Sequence, residues 1–419
     1  LTAPPLPAPA SDRPDVRRTS MRVLTLSSVF PSAAHPTYGV FVKERVRAVA
    51  DLPGLDVRVI APTPYVPPVR PLRRRYVWWR FPAQELLAGL PVTRPRYLLA
   101  PKLGGFFHAD LMYPVARRAA DRLRPEFPFD LIDAHFAYPS GVVAARLGRR
   151  FGVPVVVTGR GEDMLRFPSL PVIGPKIREA LAGGIWCIAL SDEIAEAFLR
   201  NRARPDRVVR IPNGIDLTSF RPVPQREARL RVGLPAERPI ILSVGNLQER
   251  KGFHLLADAL PAVLERHPRA LLVIVGGPAP YGDDYTGIVE ERVRRHGLKD
   301  HVRLVGHRRH EELGDWYSAA DVFALISSRE GSPNVLLEAL ACGTPAVATP
   351  VGGIPDELRN PELGILLAER SAAAAAAGLT EALSRRWNRD LISSLMRPRS
   401  WESVAQKVAD VFDRSLSCP

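Results

Sequence analysis

Cysteine is scarce: Cys187, Cys342 and Cys418 are an odd number with no CxxC pair. That leaves no basis for a disulfide framework or a thiolate zinc site, and it fits a reducing cytosol. Long apolar runs are also missing. The nearest, "GGIWCIAL" and "SAAAAAAGL", fall far short of the roughly 18–20 residues that cross a bilayer. Residues 1–20, "LTAPPLPAPASDRPDVRRTS", hold neither an initial Met nor an apolar signal core, so they are expected to be a disordered extension, with a natural start at Met21.

What is present places the chain among globular proteins. At 419 residues, with 46% hydrophobic and 24% charged residues, it has room for two or three domains. The formal charge of +14 is uneven: 29 basic residues face 16 acidic ones between 21 and 210, whereas the count is 26 against 26 from 211 onward. Such asymmetry predicts an anionic partner for the first half: acidic lipid, a phosphorylated acceptor or nucleic acid.

Short β-branched runs alternate with longer segments of helical period. "RVLTLSSVF", "DVRVIAP", "DLIDAHF", "PVVVTGR", "WCIALS" and "VVRIPN" read as buried strands, followed by helices such as "GVFVKERVRAVADL" and "SGVVAARLGRRF". The order restarts near residue 235 with "PIILSVGNL", "ALLVIVGG", "HVRLVGH", "DVFALIS" and "PAVATP" as strands. This is an α/β pattern of two Rossmann-like doubly wound domains facing each other across a cleft. "IPNGIDLTSFRPVP" supplies the turn between them. The domains are therefore expected at 21–214 and 215–385, with 386–419 a helical segment that packs back across the junction.

In "SSREGSPNVLLEALACGTPAVAT", Glu330 and Glu338 stand eight residues apart around a Gly-Ser-Pro-Asn break. Ser332 is a good N-cap and Pro333 suits the first helical position, so Glu330 precedes a helix and Glu338 lies inside it. The amides of Gly331 to Val335, Ser332, Pro333 and Asn334 between them, then form a phosphate seat at the positive end of the helix. Glu338 is placed for ribose hydroxyls and Glu330 for whatever lies beyond the phosphates. "SVGNLQERKG" offers Arg250 and Lys251 at a strand's end, where a cation would neutralise a departing diphosphate, against the alternative of solvated loop charges.

In the first half, Gly39 precedes a helix and suits close backbone approach to a phosphate or sugar, or is a simple turn glycine. His135 in "DAHFAYPSG" ends a strand and is expected to face the cleft, unless structural. Arg160 and Asp163 end another strand, either orienting the donor sugar or acceptor or forming an ordinary ion pair. "RPLRRRYVWWRFP" sets Arg73, Arg74 and Arg75 beside Trp78 and Trp79, a pairing suited to an anionic membrane surface unless the tryptophans pack inward.

From Met21 onward the chain resembles the family 4 retaining nucleotide-sugar glycosyltransferases of the GT-B fold, especially bacterial enzymes of surface-polysaccharide assembly of the teichuronic-acid type. The resemblance runs through "SSVFPS", "GVFVKERVRA", "DAHFAYPSG", "IPNGID", "SVGNLQERKGFHLL", "EELGDWYSAADVF" and, most specifically, "SREGSPNVLLEALACGTPAVAT". It implies that Glu330 contacts the donor sugar, Glu338 the ribose, the Gly331–Val335 amides the diphosphate and Lys251 the leaving phosphate. It also puts His307 where the backbone meets the base. Glu330, Lys251, Arg160 and Asp163 are thereby assigned to the reacting centre, with His135 and Arg160 on the acceptor side. No obligate metal or other cofactor is implied. The acceptor is expected to be a saccharide or a polyprenyl-linked one, and the protein cytoplasmic, peripheral to the inner face of the cell membrane. Two departures stand out. Asn246 follows Gly245 where many members have Arg, which leaves Arg250 as substitute, and Arg160 stands where many carry His, an exchange that removes a proton shuttle but keeps a charge. The competing readings are a GT-B epimerase or phosphorylase, and a basic nucleic-acid-binding protein, for which no recognition module is visible.

Overall fold

The computed structural model describes residues 20–70, 72, 76–98, 104–278 and 283–418. The expected extension before Ser20 and the arginines Arg73, Arg74 and Arg75 lie outside the described residues.

The strands are β1 Met21–Leu26, β2 Leu55–Ile60, β3 Thr63–Pro64, β4 Gln84–Leu87, β5 Leu90–Thr93, β6 Arg96–Tyr97, β7 Leu131–His135, β8 Val155–Gly159, β9 Trp186–Ala189 and β10 Val208–Arg210 in the first half. The second half contributes β11 Ile240–Val244, β12 Leu271–Val275, β13 Val302–Gly306, β14 Val322–Leu325, β15 Ala346–Ala348 and β16 Gly364–Leu366. They form an eight-stranded sheet ordered β10-β9-β8-β7-β1-β2-β5-β4, a six-stranded sheet ordered β13-β12-β11-β14-β15-β16, and the small pair β3-β6. Strands such as β7, β8, β11 and β12 are buried along their whole length. This is why they read as continuous apolar runs rather than alternating ones.

Two details depart from expectation. β10 pairs only with β9 and is half-exposed, so "VVRIPN" is an edge rather than a buried strand. The first sheet also ends in an antiparallel hairpin, β4–β5, which the prolines and the glycine of "FPAQELLAGLPVT" conceal from period counting.

Helices cover both faces of each sheet. The final helix, Trp401–Ser417, leaves the second domain and buries Val404, Val408, Val411 and Phe412 among β1, β2 and the helix Val40–Ala50 of the first. Each large apolar side chain there contributes about 1.5–3 kcal/mol. The chain therefore crosses between the domains twice. Where it first crosses, Ile215 N–H donates to the Arg399 carbonyl at 2.8 Å.

Strand order reverses between β1 and β7 in one sheet and between β11 and β14 in the other. Ligands of open α/β sheets sit at the carboxyl ends of such reversal points. Here the loops leaving β1, β7 and β8 meet those leaving β11 and β14 around one cavity of about 1200 Å³.

Candidate active site

On the second domain, the loop after β14 carries Glu330. Its Oε1 accepts from Lys251 Nζ at 2.6 Å and from Ser327 Oγ at 2.7 Å, with Arg250 Nη1 3.8 Å away. Burial opposes ionisation of this carboxyl, but Lys251, helped by Ser327 and Arg250, holds it below the usual carboxylate range. Arg250 and Lys251 reach it from a single helical turn, Glu249–Lys251, that follows Gly245 and Asn246 at the end of β11.

The helix after Glu330 runs Asn334–Ala341, and its N-cap is Pro333, extended at φ −77° and ψ 103°. Ser332 is therefore not the cap, and Pro333 is not the first helical residue. The Pro333 carbonyl accepts from Leu336 N–H at 3.0 Å, which begins the helix one step later than side-chain preference predicts. Pro333 has no N–H to offer, so four amides remain, those of Gly331, Ser332, Asn334 and Val335. None of the four has a protein acceptor among the described residues. The Ser332 hydroxyl oxygen, freed from capping, is buried and unpaired beside them. Buried polar groups nearly always find partners, so this concentration of unpaired donors fits an anion.

Glu338 lies one turn into the helix and is buried. Its two oxygens accept from His310 Nε2 and Tyr317 Oη, both at 2.9 Å. A carboxylate has about four acceptor sites, so lone pairs remain for diol hydroxyls. For His310, burial pulls the pKa down but the Glu338 contact outweighs it, and the net shift is upward. The ring also packs against Phe220, centroids 5.0 Å apart. Sequence reasoning selected His307 and missed His310. His307 stands exposed after β13, its Nε2 3.3 Å from the Pro278 carbonyl.

Across the cleft, Arg160 leaves β8 and lines the cavity while almost fully buried. Its Nη2 contacts His135 Nδ1 at 2.8 Å and its Nη1 donates to Asn213 Oδ1 at 3.4 Å. Phe41 lies beneath the guanidinium at 5.1 Å. Burial lowers its pKa to about 9, which keeps it charged at neutral pH. Asn213 Nδ2 then donates to Asn334 Oδ1 at 2.8 Å, joining Arg160 to the helix start that forms the amide cluster.

Two first-half expectations change. His135 does not face the cleft: it is fully buried, and it reaches the site only through Arg160. Arginine only donates, so Nδ1 must be the unprotonated nitrogen, while Nε2 lies 3.1 Å from Asp133 Oδ2. Burial pushes this imidazole down to about 4. Asp163 is not a simple ion-pair partner, although it lines the cavity. Its oxygens accept from the backbone N–H groups of Ala137 at 2.7 Å and Arg160 at 3.0 Å, so it fixes two strand-end loops.

Gly39 caps the helix Val40–Ala50 with φ 76°, and a Cβ there would come within 2.7 Å of Val29 Cγ1. Packing therefore accounts for this glycine, and it is the neighbouring Tyr38 that lines the cavity. The tryptophans separate. Trp78 lines the cavity, stacked on Tyr76, whereas Trp79 is 37% exposed with Arg80 over its ring.

The domains touch beside Glu330. A Cβ on Gly331 would lie 1.9 Å from the Arg160 carbonyl oxygen, so the backbones of two domains meet where only glycine fits. Arg329 and Glu162 bridge the same gap at 3.2 Å.

The family model described as Glycosyltransferase Family 4 matches residues 38–219, and that described as Glycosyl transferases group 1 matches residues 224–407. TuaC of Bacillus subtilis (strain 168), provisionally named as a teichuronic acid biosynthesis glycosyltransferase, is 32% identical over 86% of this chain and 88% of its own. D-inositol 3-phosphate glycosyltransferase 2 of Catenulispora acidiphila is 30% identical over 94% and 95%. The fold is shared with Anabaena HepE in complex with UDP, with a TM-score of 0.71 over 94% of this chain and all of the other, at 20% identity. The two facing Rossmann-like domains are thus the GT-B architecture that the motifs implied, and the chain belongs to the group 1 and family 4 glycosyltransferases.

Proposed function

We propose that this enzyme is a retaining hexosyltransferase that uses a nucleotide-diphosphate sugar and serves cell-surface glycan assembly. In this reading the diphosphate rests on the amides of Gly331, Ser332, Asn334 and Val335. Lys251 and Arg250 flank it, Glu330 holds the sugar and Glu338 holds the ribose. The base lies toward His307 with Asn246 on the phosphate loop, and the acceptor, a saccharide or a polyprenyl-linked one, enters beside Arg160. The observation that carries the reading is the cluster of unpaired amides set between Glu330, its side chain largely shielded, and the buried Glu338, and closed by Arg160. The names of the relatives, and a structural neighbour in complex with UDP, support it.

The acceptor hydroxyl attacks the anomeric carbon on the face from which the diphosphate leaves. As the glycosidic bond forms, the carbon–oxygen bond to phosphate breaks, and the acceptor proton passes to the departing phosphate oxygen. The protein's share is positioning and charge stabilisation, supplied by amides and cations without an obligate metal. We place the enzyme in the cytoplasm at the inner face of the membrane. Trp79, exposed beside Arg80, supports that placement.

The test is a panel of UDP-, GDP- and ADP-sugars read by thermal shift and by hydrolysis, with and without EDTA. One donor should raise Tm, EDTA should leave its hydrolysis unchanged, and Glu338→Ala should abolish the shift. A panel with no response to any nucleotide would sink the reading. Sedimentation with anionic vesicles at low salt, weakened by Trp79→Ala, checks the membrane part, and protein that stays in the supernatant refutes it.

A further inference from the structure

The cavity reaches well beyond the donor seat. At about 1200 Å³ it is lined mostly from the first domain, and Lys251, Ser332, Asn334, Val335 and Glu338 are not among the residues that line it. There the wall is aromatic: Tyr38, Trp78, Tyr97, His108, Tyr138 and Phe167 line it. Their rings are held by one another. Tyr76 stacks behind Trp78 at 5.2 Å, His108 meets Tyr138 edge-on at 6.4 Å, and Tyr138 meets Phe167 edge-on at 6.1 Å. The polar ends of Tyr97 and Tyr138 are engaged as well. The Tyr138 hydroxyl donates to the Gly105 carbonyl at 2.9 Å, and Tyr97 is hydrogen-bonded to His108. The wall therefore offers a ligand ring surface, chiefly from the half-buried Tyr38, Trp78, His108 and Phe167, with Tyr97 and Tyr138 buried behind them.

Its charge points the same way. The molecule carries +14, yet the cavity is lined by four arginines and six carboxylates. Each arginine has a protein partner. Arg166 and Arg329 share the one carboxylate of Glu162, Arg250 approaches Glu330 on the diphosphate side, and Arg160 is enclosed by His135 and Asn213. His108 adds no charge, because burial holds its pKa near 4. At the mouth stand Glu193, without a cationic partner among the described residues, and Glu196, paired with Arg200 outside the cavity. An incoming phosphate or carboxylate would meet more carboxylates than arginines, and arginines that already have protein partners. A pyranose, with an apolar C–H face that lies against an aromatic ring and hydroxyls at its rim, suits the wall.

We propose that the first-domain half of the cleft is a subsite for an uncharged pyranose, the terminal residue of a neutral saccharide, and that it rejects acceptors bearing phosphate or carboxylate there. This rests on the glycosyltransferase reading and narrows it. The basic excess of the first half is thereby assigned to surfaces outside the site.

The test offers the full chain two sugar sets at equal concentration, with and without the nucleotide sugar that raises its Tm. One set is neutral: maltose, lactose and diacetylchitobiose. The other is anionic: glucose 6-phosphate, inositol phosphate and a glucuronate-terminated disaccharide. Saturation-transfer NMR reads binding. Neutral sugars should bind, and Trp78→Ala should weaken them about tenfold, with the nucleotide's own Tm rise as the folding control. Glu193→Gln with Glu196→Gln should improve anionic binding about threefold. Anionic sugars binding as tightly as neutral ones to the unaltered protein would overturn the proposal, and so would no binding by any neutral sugar. A missing nucleotide shift faults the donor reading instead, because sugar binding is scored without nucleotide as well.

Discussion

The contact between Lys251 and Glu330 sets a pH dependence whose sign can be worked out. Glu330 titrates below its ordinary value, so the pair is intact above the usual carboxylate pKa and is lost only as pH falls through the lowered one. In Lys251→Ala the burial stays while the largest compensating charge is gone, so the carboxyl rises above its ordinary value. The acid limb of kcat should move to higher pH, and turnover at neutral pH should fall about 10²–10³-fold if Lys251 also stabilises the leaving diphosphate. Lys251→Arg should restore the limb more fully than the turnover, since a planar guanidinium keeps the charge but not its position. A pH–rate profile checks this, and an unmoved limb in the alanine variant would uncouple the two residues. Glu330, Glu338 and Lys251 were legible in the sequence because each belongs to a local element whose chemistry is written nearby. His310, Tyr317 and Asn213 were not. Their partners lie 28, 21 and 121 positions away, and only the packed sheets bring them together.

The element that carries the most is the segment from Glu330 through the helix Asn334–Ala341. Its place and its role as a donor cluster follow from a small-residue break before helix-forming residues. Its cap does not, because Ser at the capping type and Pro at the first-turn type compete, and the structure gives the cap to Pro333. The β4–β5 hairpin was missed, and β10 was read as buried, for a related reason: strands at a sheet's edge are short and half-solvated, so their periodicity is weak. Gly331→Ala tests the segment directly. The added methyl would meet the Arg160 carbonyl oxygen at 1.9 Å, and neither backbone yields without separating the domains. Each domain keeps its own core, so Tm should change by less than about 4 °C. Misplacing the phosphate seat by about 1 Å should cost around 10²-fold in turnover. A variant with normal turnover would mean that the domains need not approach this closely for catalysis.

At the scale of the molecule, the two domains are held together by a continuous element and by charge. The final helix is the permanent tie, its apolar face built into the core of the first domain. The charged tie lies at one side of the cavity. Asp356 of the second domain accepts from the Asp192 N–H at 2.8 Å and lies 3.3 Å from Arg210, both of the first. Arg359 completes the group by pairing with Asp356 at 3.0 Å and with Asp192. Asp356 is shielded, its side chain 9% exposed, while Arg359 is 66% exposed. The shielded carboxylate is therefore where the group holds, and the outer arginine is the part that salt screens. Asp356→Ala breaks both cross-domain contacts of that carboxylate and leaves the apolar tie whole. The expected result is a larger radius of gyration by small-angle scattering and a higher donor KM, with Tm nearly unchanged. Raising the salt to about 1 M, where the Debye length is about 3 Å, should move the unaltered protein toward the same dimensions and the variant hardly at all. If salt expands both equally, the cluster is not what keeps the cleft closed, and the contacts around Gly331, with Arg160, between Arg329 and Glu162 and between Asn213 and Asn334, must do so instead.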